Sequence, residues 1–153
     1  MDKVKELIRA KPRIFIYVTL VYLLVVGALK WFFHPSLDAI WFLLGGVIGL
    51  YLLDAAEVFF ALSPSPFRSI VFGALFAVVS FFVVTSSSGT IGSGLVLSLY
   101  LQLLLWQIGQ WRVQGNVDSW YGMVASPVPV ATQRIILWIA IAIYIVETYI
   151  FIR

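Results

Sequence analysis

The sequence predicts an all-α fold: a polytopic membrane protein built as a bundle of five transmembrane helices. Three observations carry this. The 153 residues are 62% hydrophobic and only 11% charged, with a mean hydropathy of +1.03. Soluble domains carry roughly 25% charged residues, and no water-soluble fold of this length has enough interior to hide so much apolar side chain. Second, five apolar runs approach or exceed the ~20 residues that span a hydrocarbon core about 30 Å thick. Third, those runs are continuously apolar and lack the period-two alternation of a membrane β-barrel.

Residues 1–13 form a basic segment that precedes a single membrane domain, residues 14–153. Within it Val4, Leu7 and Ile8 have helical spacing, with Lys3, Lys5, Arg9 and Lys11 around them. A short amphipathic helix on an anionic leaflet, ended by Pro12, is one reading. A simple topology signal is the other. The apolar run that follows is longer than a signal-peptide core and lacks a good small-residue cleavage site, so it reads as a retained span.

The first span covers residues 14–33 and is stopped by His34-Pro35-Ser36. The second covers 37–62, with Ser36 placed as N-cap and Asp38 in the first turn. Ser63-Pro64-Ser65-Pro66 forbids continuation, and Ser65-Pro66 offers an N-cap and first-turn pair for the third span, 67–85. A short uncharged turn, Ser86-Ser87-Ser88-Gly89-Thr90, leads to the fourth span, 91–111. A long loop, 113–133, holds Gly115, Gly122, Pro127 and Pro129, and the fifth span covers 134–152. Trp120 and Tyr121 favour the headgroup region, so the loop is expected to lie on the membrane surface.

Orientation follows from the cations. Lys3, Lys5, Arg9, Lys11, Arg13, Arg68, Arg112 and Arg134 fall on one side, and only Lys30 and Arg153 on the other. This bias places the N-terminus in the cytoplasm and, with five spans, the C-terminus outside. For a bacterial protein the membrane is the cytoplasmic (inner) one. The basic residues flank spans and form no soluble face, so no nucleic acid is expected as partner.

The candidate functional residues are polar groups inside spans. On the second span Gly46, Gly49, Leu50, Asp54 and Glu57 share one face; on the fourth, Gly94, Ser98, Gln102, Gly109 and Arg112 form a matching stripe. Small residues beside polar ones mark helix contact. The expected cluster is therefore Asp54, Glu57, Gln102 and Arg112, with Arg112 paired to Glu57 or Asp54. Two roles fit it: an interhelical clasp that sets register, or a proton or cation relay through Asp54. Glu147 is a second candidate, with Lys30, Arg153 and His34 as potential neighbours. Gly73, Ala77 and Ser80 make a small-residue packing stripe on the third span.

Catalytic chemistry is not indicated. The chain has no cysteine and one histidine, His34, at a helix end. No nucleophile-and-base pair, phosphate-binding loop or metal-ligand spacing occurs. No cofactor is expected. The sequence therefore favours a non-enzymatic membrane subunit whose partners are the lipid bilayer and a second copy or another membrane protein. The alternative is a small transporter or channel component using Asp54, Gln102 and Glu147.

Overall fold

The computed structural model describes residues 2–86 and 89–153, and among these it is all helix and connection, with no strand. Six α-helices follow in order: α1 (Asp2–Ala10), α2 (Arg13–Phe33), α3 (Asp38–Phe59), α4 (Ile70–Thr85), α5 (Thr90–Gln114) and α6 (Val130–Ile152). A one-turn 3-10 helix, Asp118–Tyr121, sits between α5 and α6.

Four helices are long and apolar enough to cross a membrane: α2, α3, α5 and α6, of 21, 22, 25 and 23 residues. At 1.5 Å per residue they reach about 31–38 Å. α4 has 16 residues, or about 24 Å, and is the short member. Its start is three residues later than the expected 67 because Ser69, not Ser65, caps it: Phe72 N–H donates to Ser69 Oγ at 3.2 Å. Ser65 is diverted to Glu57, to which its hydroxyl donates.

Other ends also move for local reasons. α3 stops at Phe59, and Ala61 beyond it takes a left-handed φ of 51° that a helix cannot continue through. Leu37, not Ser36, occupies the position before α3; the Ser36 hydroxyl instead exchanges hydrogen bonds with Asp38. α5 runs on to Gln114 and ends at Gly115, whose φ of 71° suits glycine. α6 starts at Val130, directly after Pro129, so the long loop is shorter than expected. The Ser-Gly turn expected at 86–90 includes Ser87 and Ser88, which lie outside the described residues.

α5 is the axis of the bundle. Of its apolar stretch 67% is buried, against 22–39% in α2, α3 and α6. α3 runs parallel to it as its most extensive partner, and glycines let the backbones meet. Gly45 faces the Ile91 carbonyl, Gly49 the Leu95 carbonyl, and Gly94 the Phe42 carbonyl. The expected contact between second and fourth spans is thus present. α2, α4 and α6 complete the ring around a core that includes Leu23, Phe42, Leu97, Tyr100 and Tyr144. At one end Lys30 Nζ donates to the Phe151 carbonyl at 2.8 Å, which ties α2 to the end of α6.

The loop after α5 differs from expectation. Trp120 is 2% exposed and packs with Leu99, Leu103 and Val117 instead of lying outward on a membrane surface. Gln133 holds it there: its Oε1 accepts from Val117 N–H at 2.9 Å, and its Nε2 donates to Asp118 Oδ1 and the Val128 carbonyl. Gln110 Oε1 accepts from Trp120 Nε1 at 3.1 Å, which satisfies the indole.

Candidate functional site

Of the four expected residues Asp54 and Gln102 meet, and the cation between them is Lys11 instead of Arg112. Pro12 ends the first helical stretch and turns the chain into α2, so that Lys11 points into the bundle. Lys11 is 3% exposed. Its Nζ lies 2.6 Å from Asp54 Oδ2, donates to Gln102 Oε1 at 2.8 Å, and donates to the Leu50 carbonyl. An ammonium has three protons, and all three are used. Gln102 Nε2 donates onward to Thr19 Oγ1 at 2.6 Å, and Thr19 Oγ1 donates to the Phe15 carbonyl at 2.7 Å. The Tyr51 ring lies 5.4 Å from Lys11 Nζ. Burial pushes the Lys11 ammonium below the usual lysine range, and Asp54 pulls it partly back.

Four elements therefore meet at this point: the α1–α2 junction (Lys11), α2 (Thr19), α3 (Leu50, Asp54) and α5 (Gln102). Sequence reasoning counted Lys11 among the topology-setting cations and missed both it and Thr19. The available signal was spacing. Lys11 is the last lysine before Pro12, and a chain that reverses there must place it beside the start of α2.

Glu57 belongs to a separate, shallower pair. Arg68 from the α3–α4 connection reaches it with both Nη2 (3.0 Å to Oε2) and Nε (3.3 Å to Oε1). The guanidinium also lies over the Trp106 ring at 4.0 Å. Arg112 joins neither acid. It is exposed, and the two ion pairs among the described residues are Lys11–Asp54 and Arg68–Glu57. The reason is depth: Arg112 is ten residues beyond Gln102, about 15 Å further along α5. Replacing Arg112 by alanine should therefore change stability by no more than about 0.5 kcal/mol. Arg68→Ala should cost about 1 kcal/mol, since its pair is partly solvated but bidentate and stacked. Thermal unfolding in detergent compares the two.

Glu147 stands apart from both clusters. It is fully buried on α6, and Ser80 Oγ of α4 lies 2.9 Å from each carboxyl oxygen. No cation faces it among the described residues: Lys30 and His34, its expected neighbours, are bound to the Phe151 and Arg153 carbonyls. Tyr22 bonds Thr148 at 2.9 Å, and the Tyr144 ring lies tilted between those of Tyr22 and Tyr100. Ser80 was read as packing only; its hydroxyl is the acid's hydrogen-bond donor. Asp54 and Glu147 lie near opposite ends of the bundle, on the order of 15 Å apart along its axis at 1.5 Å per residue.

Among the described residues no group of His, Cys, Asp or Glu could hold a metal ion. No family model, curated protein or solved structure matches the chain.

Proposed function

We propose that this is a non-enzymatic membrane protein that works as a subunit or partner through its packed helices. It has five spans, with the N-terminus cytoplasmic and the C-terminus outside. The observation that carries this reading is the closure of the Lys11–Asp54–Gln102–Thr19 network. Every Lys11 proton has an acceptor inside the chain, so the network supports a clasp better than a site open to a passing ion. α1, with Val4 and Ile8 outward and lysines beside them, suits the surface of an anionic leaflet, and the clasp anchors it to the bundle. α4 counts as the fifth span because its 16 residues are apolar and it packs between α5 and α6.

The transporter reading keeps one supporting observation: Glu147 is a buried carboxyl faced by a serine hydroxyl and no cation. On that reading Glu147→Gln removes proton-coupled flux in vesicles and leaves the fold intact. On the subunit reading the tagged protein, purified in mild detergent, brings a stoichiometric partner or a defined oligomer with it. Recovery as a lone monomer from every preparation would sink the subunit reading.

Topology is testable directly, because the chain has no cysteine. Single variants Ser36→Cys, Thr90→Cys and Met123→Cys should divide two to one. Ser36→Cys and Thr90→Cys react with a membrane-impermeant maleimide from outside, and Met123→Cys reacts only after permeabilisation. If α4 does not cross, Ser36→Cys and Thr90→Cys label from opposite sides.

A further inference from the structure

A cavity of about 300 Å³ lies between α4, α5 and α6. Its walls are apolar (Ile70, Gly73, Ala77, Ile139) except for Tyr100, whose hydroxyl is taken up by the Ala140 carbonyl at 3.0 Å, and the side chain of Gln107. It shares Ala74, Ala77, Ile139 and Ile143 with a second apolar groove that opens between α4 and α6 toward Val78 and Val146 on the outer face. Val78 and Val146 are both more than half exposed, so the groove faces the surrounding bilayer when the helices span it. The two spaces form one cleft with a lateral entrance. An occupant can enter from lipid without meeting water.

Gln107 is the second, independent observation. It is 5% exposed, and its carboxamide, which makes no hydrogen bond among the described residues, borders the cavity. An amide on such a wall is stabilised by an occupant that offers it an acceptor. Beside it, a Cβ built on Gly73 would meet only Gln107 Nε2, at 4.0 Å. The space there is open, and the amide borders it. The stripe of Gly73 and Ala77 that reads as helix packing in the sequence is here the wall of a cavity.

The polarity is graded along the helices. Gln107 is seven residues from the Gln114 end of α5, about 10 Å in from that end. Gly73, near the start of α4, lies beside that amide. From there to Phe81 the cleft follows α4 for about eight residues, about 12 Å toward the other side, along walls whose one further hydroxyl, that of Tyr100, is already paired with the Ala140 carbonyl. The occupant must therefore carry a hydrogen-bonding group near the membrane interface and a thin apolar body pointing inward. A helix from a second copy, about 10–12 Å across with side chains, is too wide for the inner space. A single hydrocarbon chain is not.

We infer that this cleft holds one acyl chain of a membrane glycerolipid, whose ester carbonyl accepts a hydrogen bond from Gln107 Nε2. The test uses the full chain in nanodiscs of palmitoyl-oleoyl phosphatidylcholine, doped with a phosphatidylcholine carrying a diazirine on one acyl chain. After photolysis the adducts are mapped by mass spectrometry. They should concentrate on Ala74, Ala77, Ile139 and Ile143. Gly73→Leu, which fills the open space on a helix without meeting backbone, should cut cleft adducts roughly tenfold. Gln107→Leu, which keeps the volume and removes the amide, should cut them roughly five- to tenfold, as loss of one buried hydrogen bond does. Adducts elsewhere on α2 and α3 serve as the internal control and should not change. Adducts spread evenly over the outer faces of the helices, or unchanged in both variants, overturn the assignment. Displacement of the cleft adducts by free oleate at a tenth of the lipid concentration would also overturn it, by making a free fatty acid the ligand.

Discussion

Lys11→Met should destabilise the bundle by about 3–5 kcal/mol, the usual cost of removing one partner from a buried ion pair. The substitution keeps the length and apolar stem of the side chain, so packing is largely conserved. What it removes is the ammonium that serves Asp54, Gln102 and the Leu50 carbonyl together. Asp54, 6% exposed, is left as a carboxylate with no cation, and Gln102 Oε1 loses its donor. The double variant Lys11→Met/Asp54→Leu should recover most of the loss, because an apolar pair of similar volume is often neutral or better. The coupling between the two positions is the quantity to measure, by a double-mutant cycle on reversible unfolding in mixed micelles. A Lys11→Met loss below about 1 kcal/mol would mean that the buried pair is not what holds these helices together. Under the relay reading the double variant is stable and silent in a flux assay; under the clasp reading it is stable and still assembles.

Much of this site was legible in the residues. Gly46 and Gly49 with Asp54 on one helix, and Gly94 with Ser98 and Gln102 on another, announced the α3–α5 contact through helical periodicity alone. Glu57, five residues before the expected end of its span at 62, falls on the side that also carries Arg68. What periodicity cannot supply is the identity of a neighbour that arrives from a different part of the chain. Eight cations crowd one side of the sequence, and by charge any of them could have met Asp54. The choice of Lys11 depends on the turn at Pro12 and on the level at which α2 begins, both properties of the packed bundle. Arg112 failed for the converse reason: it lies at the edge of the right stripe at the wrong depth. The loop aromatics were misplaced because Trp120 reads as interfacial until Gln110 and Gln133 provide it with an inward seat. Glu147 was recognisable as unusual, but its donor Ser80 is 67 residues away.

Gly94→Ala should be among the most damaging small substitutions in the apolar part of the bundle, with Gly45→Ala, whose Cβ would meet the Ile91 carbonyl oxygen at 2.0 Å, and should cost about 1–3 kcal/mol or more. The Cβ added at Gly94 would lie 2.1 Å from the Phe42 carbonyl oxygen, 2.9 Å from its carbon and 3.0 Å from Gly46 N. All three are backbone atoms, so no side chain can rotate aside, and α3 must move away from α5. Alanine is favoured over glycine within a helix by about 1 kcal/mol, which offsets only part of this. Gly73→Ala isolates that offset: its Cβ meets nothing nearer than 4.0 Å, so it should be neutral or stabilising by up to about 1 kcal/mol. Comparing the two in one detergent separates helix propensity from interhelical distance. The effect should also reach the polar site. Gln102 stands two turns beyond Gly94 on the same helix and bonds Lys11, while Asp54 reaches Lys11 from α3. Forcing the two helices apart at Gly94 therefore stretches a network that needs both. Combined with Lys11→Met, Gly94→Ala should then cost less than the sum of the two single losses. If the losses instead add within about 0.3–0.5 kcal/mol, the glycine contact and the clasp are independent fastenings.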